Sequence, residues 1–248
     1  MRSGSRRHRC ALLAAIGLIL GHPSAPAREA PPVAPWLAVL AAGDDAEPVF
    51  DDATQAMASR LTAAGVPSVD IHRLSASRKQ LGAGVEPASL PVLLRRIAGL
   101  AARPGERCLI FLTSHGERGA GLWLARSRTA LSPDALAGAL AQGCGAVPTV
   151  VIVSGCYTGG FARGEMARPN RVVLTAARAD RPSFGCAVGR RYTFFDTCLL
   201  DALAHARTWR GVFDATRNCV AHMERRLGAA PSDPQAYFGA AAAIAVGF

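Results

Sequence analysis

The chain has 248 residues, of which 50% are hydrophobic, and this length and composition exclude a largely disordered protein. Basic residues outnumber acidic residues by 28 to 18, and all but Lys79 are arginines. A nucleic-acid surface would cluster basic side chains with aromatic stacking partners, whereas these arginines are scattered and aromatic residues make up 6%, so nucleic-acid binding is not expected. Arginine in place of lysine, with abundant alanine and glycine, is typical of a GC-rich genome and suggests a bacterial source.

Residues 1–27 are predicted to be a signal peptide. The positive segment Arg2–Arg9 precedes a short apolar segment, Cys10–Gly21, and Ala25-Pro26-Ala27 provides a cleavage site. The apolar segment is too short for an ordinary membrane-spanning helix, so no stable membrane insertion is expected once the leader is removed. Because the leader carries four arginines and no acidic residue, its removal lowers the net charge from +10 to about +6. The prediction is an exported protein, periplasmic or secreted.

A Pro-rich linker is predicted over residues 28–35, followed by one domain over 36–248. Its first half predicts, in order, a buried strand at Trp36–Ala41, a helix at Asp51–Ala64, an alternating edge strand at Val69–Leu74, a mobile loop at Ser75–Gly84 and a helix at Glu86–Ala102.

The second half adds strands that end at His115 and Cys156. Around them it predicts a short β segment at Leu122–Leu124, a helix from Ser132 to Gln142, a strand at Arg171–Ala176, helices at Thr193–Ala206 and Gly211–Leu227, and a last strand or buried helix at Ala240–Val246. Alternating strands and helices indicate an α/β fold, a three-layer sandwich around a mostly parallel six-stranded sheet.

Two apolar strands are each followed by a turn of small residues with one reactive side chain. Cys108–Thr113 precedes Ser114-His115-Gly116, and Thr149–Val153 precedes Ser154-Gly155-Cys156. Because chemistry in an open parallel sheet is found beyond the carboxyl ends of the strands, the imidazole and the thiol are expected at one edge of one sheet.

A thiol next to an imidazole is the arrangement that a cysteine nucleophile requires. The imidazole can accept the thiol proton and protonate a leaving amine, and backbone N–H groups can stabilise an oxyanion. The residues alone leave a second interpretation open, in which His115 is a loop histidine and Cys156 a buried structural cysteine.

The segments Leu112–Gly116 and Ser154–Phe161 together resemble the two catalytic blocks of the legumain-type (asparaginyl endopeptidase) cysteine peptidases, relatives of caspases. The resemblance extends over about Trp36–Ala206. It implies the caspase-hemoglobinase fold, with 36–248 as a caspase-like peptidase domain. It also implies that Cys156 is the nucleophile, His115 the acid/base, and the N–H groups of Gly116 and Cys156 the oxyanion hole.

The predicted substrate pocket departs from that family. Legumains have a glutamate two residues before the cysteine, where this chain has Ser154, and the loop after the first strand lacks their asparagine and arginine. Asparagine preference is therefore not predicted. Ser183 matches a pocket serine of the family, and Asp180 nearby would favour a basic P1 residue by charge.

Six cysteines follow the predicted leader, and none forms a CxxC motif, so neither a metal site nor another cofactor is expected. Some of them are expected to pair outside the cytoplasm, and Cys198 with Cys219 on neighbouring helices is one option.

The leading hypothesis is an exported cysteine endopeptidase acting on peptides or proteins, with P1 preference unknown. The alternatives are a transpeptidase using the same Cys-His dyad and a non-catalytic secreted binding protein that retains the fold. A thiol-redox protein is disfavoured by the lack of a CxxC motif.

Overall fold

The computed structural model of the protein describes Met1, residues 35–186 and 189–239, and Val246. The predicted signal peptide, apart from Met1, and most of Ala240–Val246 lie outside these ranges. The strands are β1 (Trp36–Ala42), β2 (Ile71–Ser75), β3 (Val85–Pro87), β4 (Arg107–Thr113), β5 (Gly116–Glu117), β6 (Gly121–Leu124), β7 (Thr129–Leu131), β8 (Thr149–Ser154), β9 (Arg171–Thr175) and β10 (Gln235–Phe238). The helices are α1 (Val49–Ala63), α2 (Leu90–Ala98), α3 (Pro133–Gly143), α4 (Phe194–His205) and α5 (Trp209–Leu227).

The described strands form a seven-stranded sheet in the order β10-β9-β8-β4-β1-β2-β3 and a separate three-stranded antiparallel sheet, β5-β6-β7. All neighbours in the large sheet are parallel except β10, which is antiparallel to β9. The predicted mostly parallel α/β sheet is thus confirmed, with seven strands in place of six.

Helices cover both faces of the large sheet. Alternate side chains of β4 and β8 point to opposite faces, so Phe111 and Ile152 pack with α1, α4 and α5, whereas Ile110 and Val151 pack with α2 and α3. Strands buried on both faces explain the unbroken apolar runs in the sequence. The result is the predicted three-layer architecture.

The edge of the sheet beyond β2 was predicted wrongly. Val85-Glu86-Pro87 pairs with β2 as β3, so β2 is an interior strand, and α2 begins at Leu90 instead of Glu86. Ser89 at the N-cap and Pro91 in the first turn mark the true helix start. Glu86 instead forms an ion pair with Arg96 at 2.7 Å.

Two disulfides cross-link the domain, Cys108–Cys144 and Cys198–Cys219, and among the described residues Cys156 and Cys186 are free. The second disulfide joins α4 to α5, as the sequence allowed. Within the described ranges no helix combines the length and apolar character needed to cross a membrane.

Candidate active site

The site is built at the carboxyl ends of β4 and β8, two neighbouring strands in the middle of the sheet. Their last residues, Thr113 and Ser154, are paired in the parallel register. The ladder continues for one further bond, in which the Ser114 N–H donates to the Ser154 carbonyl at 3.0 Å. His115 and Cys156 therefore begin two turns that leave the sheet side by side, at one edge of the sheet as the sequence predicted.

The small antiparallel sheet holds the His115 turn. The Trp123 N–H of β6 donates to the His115 carbonyl at 2.9 Å, and the Ser114 hydroxyl donates to the Trp123 carbonyl at 2.7 Å. The Phe50 ring of α1 and the imidazole form a T-shaped pair, with 5.2 Å between ring centroids and an interplanar angle of 80°. The half-buried imidazole thus has a fixed backbone and an aromatic wall on one side.

The Cys156 turn is held by the segment that follows β9. The Tyr157 N–H donates to the Arg181 carbonyl at 2.9 Å, and Tyr157 itself lies in the left-handed region at φ 59°. The Cys156 Sγ accepts the Ser183 N–H at 3.2 Å and donates to the Ser183 carbonyl at 3.4 Å. The thiol is therefore half-buried and positioned by backbone groups.

The two turns touch at Gly116. A Cβ atom at this position would lie 1.7 Å from the Cys156 carbonyl oxygen and 2.9 Å from the Cys156 nitrogen. Only a residue without a side chain can therefore stand here. This contact places the backbone that follows the histidine directly against the backbone of the cysteine.

The register of β5 and β6 directs the Gly116 N–H away from its partner strand. Because Trp123 bonds to the carbonyl of His115, Gly116 and Leu122 form a non-hydrogen-bonded antiparallel pair. The Gly116 N–H thus has no acceptor on β6 and lies next to the Cys156 backbone. Two adjacent N–H groups of this kind can stabilise an oxyanion.

A buried carboxyl group, Asp196 in the first turn of α4, lies beneath the site. It accepts a hydrogen bond from the Thr113 hydroxyl at 2.8 Å and is fully buried. Burial raises the pKa of Asp196, while the nearby hydroxyls of Ser154, Thr113 and Thr193 act in the opposite direction.

The second free thiol, Cys186, packs against Ala42, Val49 and Phe50. Burial, together with the nearby Cys156 and several carboxylates, raises the pKa of Cys186 to about 12. This thiol is therefore protonated at neutral pH and is a poor nucleophile.

The three predicted substrate-binding residues have different environments. Ser183 contacts the thiol, as described, and Ser154 is 1% exposed. Asp180 is exposed, and its carboxylate is bound by Arg178 at 2.5 and 2.9 Å. Arg178 lowers the pKa of Asp180 to about 2. A basic P1 residue would therefore have to compete with Arg178 for this carboxylate.

Asp196, Phe50 and Cys186 were not predicted as site residues. Asp196 has a sequence signal, since Thr193 and Asp196 have the spacing of a helix capping box. The Thr193 hydroxyl does accept the Asp196 N–H at 3.0 Å. That motif predicts a solvent-exposed acid, and only the tertiary structure shows that the carboxyl group is buried between strand ends.

A thiol and an imidazole beyond adjacent central strands of a parallel sheet, flanked by helices on both faces, define the architecture of the caspase-like cysteine peptidases. Residues 96–218, about half of the chain, match the model of the Peptidase C13 family, and the chain belongs to this legumain-like family of cysteine peptidases. The matched range includes both His115 and Cys156. No curated protein shows significant similarity to the sequence.

Proposed function

We propose that the protein is an exported cysteine endopeptidase that cleaves peptide bonds with Cys156 as nucleophile and His115 as acid/base. The observation that supports this proposal best is the contact of Gly116 with the Cys156 backbone. It brings together the thiol, the turn that carries the imidazole and two adjacent backbone donors.

Acylation begins with attack of the Cys156 Sγ on the scissile carbonyl carbon, and the thiol proton passes to His115. The carbonyl oxygen becomes an oxyanion that accepts hydrogen bonds from the Gly116 and Cys156 N–H groups. His115 then gives its proton to the leaving amine, the C–N bond breaks, and a thioester to Cys156 remains. Within the described ranges the hydrogen bonds of the Cys156 Sγ are those with the Ser183 backbone, and we infer that His115 receives the thiol proton once substrate is bound.

Deacylation uses the same groups in reverse. His115 takes a proton from a water molecule, the resulting hydroxide attacks the thioester carbonyl, and the thiolate leaves and regains the proton. The acyl product is released as a carboxylic acid. The contact of the Ser183 backbone with the Sγ supports Ser183 as a residue that binds substrate close to the scissile bond.

The test compares two matched thiol variants on internally quenched peptides blocked at both ends. Cys156→Ala should abolish cleavage, because the nucleophile is lost. Cys186→Ala, the control, should keep most of it, because this nearby thiol is protonated at neutral pH and has no role in the proposed reaction. Unchanged cleavage by Cys156→Ala refutes the proposal, and cleavage only of unblocked peptides refutes endopeptidase activity.

Export is part of the same proposal. It is supported by the leader pattern of residues 1–27 and by two disulfides, which are typical of proteins outside the cytoplasm. Expression in a Gram-negative host should give a periplasmic protein whose first residue is Arg28. An unprocessed, cytoplasmic protein would contradict export without affecting the proposed chemistry.

A further inference from the structure

A basic cavity of about 530 Å³ lies at the carboxyl edge of the sheet, beside the candidate active site. Three cationic residues line it, Arg78 and Lys79 from the loop after β2 and Arg126 from the β6–β7 turn. Asp45, from the loop after β1, is the only acidic residue among the described lining residues. The formal net charge of the lining residues is therefore +2.

The three cations are not engaged in described ion pairs. Arg78 and Lys79 are exposed, and the ion pairs formed within residues 35–186 and 189–239 include neither of them nor Arg126. Arg126 is half-buried, and its Nη1 donates to the Ala76 carbonyl at 2.9 Å. This bond fixes one end of the guanidinium, and its remaining N–H groups can bind an anion.

Hydrogen bonds connect the walls of the cavity to the His115 strand. The Ala76 N–H donates to the Ala42 carbonyl at 2.9 Å, and the Ala125 N–H donates to the Gly43 carbonyl at 2.8 Å. The Gly43 N–H in turn donates to the Thr113 carbonyl at 2.9 Å, two residues before His115. The cavity thus adjoins the histidine side of the site, across β4 from the Cys156 turn.

The position of the cavity beside His115 relates it to the part of the substrate that follows the scissile bond. In the proposed reaction His115 protonates the leaving amine, so the residues that follow the scissile bond leave the site along the histidine side. A substrate that continues in that direction runs toward the cavity, and each further residue extends it by about 3.3 Å.

We propose that this cavity is a subsite for an acidic side chain, aspartate or glutamate, located on the leaving-group side of the substrate. The inference rests on the proposed endopeptidase function for its direction. The charge of the cavity gives the ligand class, because a carboxylate is complementary to three cations of which one is anchored to the backbone. Its volume admits one or two side chains.

The test uses pairs of quenched peptides that differ by one Glu→Gln change at each of the first four positions after the scissile bond. Wild-type protein should cleave the glutamate peptide with about tenfold higher kcat/KM at one of these positions, as expected for two or three partly exposed ion pairs. The double variant Arg78→Glu/Lys79→Glu should reduce this ratio to about one or below, because the net charge of the subsite changes from positive to negative.

The control is Arg225→Glu/Arg226→Glu, the same charge change at the exposed end of α5, which should keep the wild-type ratio. Equal rates for both peptides at all four positions in the wild type, or an undiminished ratio in the cavity variant, overturn the subsite while the peptidase function stands.

If the wild type cleaves no peptide, the proposed function fails, and binding decides the subsite separately. Fluorescence anisotropy with Cys156→Ala protein should then show tighter binding of the glutamate peptide, weakened by the Arg78→Glu/Lys79→Glu change. Equal affinities for the glutamate and glutamine peptides overturn the subsite.

Discussion

The central sheet has two edges formed by strand ends, an amino edge where the parallel strands begin and a carboxyl edge where they end, and these two edges differ. At the amino edge, Cys108 near the start of β4 is bonded to Cys144, and the Asn170 side chain donates to the Val147 carbonyl at 2.7 Å. At the carboxyl edge, β4 and β8 continue into the turns of His115 and Cys156, where the thiol is free. The cross-linked edge fixes the strands, and the open edge presents the reactive groups, which agrees with precise sites being built on rigid elements.

The contact at Gly116 predicts the largest effect at the open edge. Gly116→Ala should lower kcat/KM for peptide cleavage by about 1000-fold or more, because the methyl group separates the turns and displaces an oxyanion donor. Steady-state kinetics on a quenched peptide measures this loss.

Gly138→Ala in α3 is the matched control, since its Cβ meets no atom within 4 Å. This variant should retain full activity and gain up to about 1 kcal/mol of stability. Near-normal activity of Gly116→Ala would contradict the tight contact between the two turns.

The cross-linked amino edge should control the stability of the domain without changing the reactivity of Cys156. Replacing Cys108 and Cys144 together by alanine should lower the free energy of unfolding by about 3–4 kcal/mol, given the separation of 36 residues. Guanidinium denaturation measures this loss. The rate at which a thiol-directed inhibitor labels Cys156 in the folded variant should remain unchanged, and a slower rate would show that the two edges are coupled.

Cys186 tests whether a thiol at the open edge is reactive simply because it is not part of a disulfide. Because its pKa is raised from 9.0 to about 12, its thiolate is scarce below pH 12, and alkylation should accelerate about tenfold per pH unit over this range. At pH 8 iodoacetamide should modify Cys186 at least about 100-fold more slowly in folded than in urea-unfolded protein. Peptide mapping by mass spectrometry measures both rates, and equal rates would contradict the buried environment.

Asp180 should have the smallest effect. Its carboxylate is exposed and paired with Arg178, so Asp180→Asn should change kcat/KM for peptides with a basic P1 residue by less than about twofold. A selective tenfold loss for those peptides, relative to peptides with a neutral P1 residue, would instead identify Asp180 as a specificity residue.

The sequence predicted the parts of the fold that depend on continuous apolar patterns. The runs before His115 and Cys156 are strands buried on both faces, and their ending at one edge of the sheet followed from the parallel topology, whereas their direct pairing is seen only in the structure. The α3 helix was also predicted well, because Ser132 and Pro133 are strong start signals.

Features that depend on tertiary contacts were not predictable. The three residues of β3 carry no strand pattern of their own and pair only because β2 offers an open edge. Asp180 and Asp196 both follow β9 in the sequence, yet Asp196 is buried against Thr113 and Asp180 is exposed beside Arg178. No local pattern distinguishes these two environments.

The hydrogen bonds of the two turns differ in the chain separation that they span, and this difference bears on the order of folding. The His115 turn is held by Trp123, 8 to 9 residues away, whereas the Cys156 thiol is held by Ser183, 27 residues away. Because closing a longer loop costs more entropy, we expect the histidine hairpin to form early and the nucleophile turn late. An unfinished chain would then lack a competent thiol, and competence would be acquired only when the segment after β9 docks.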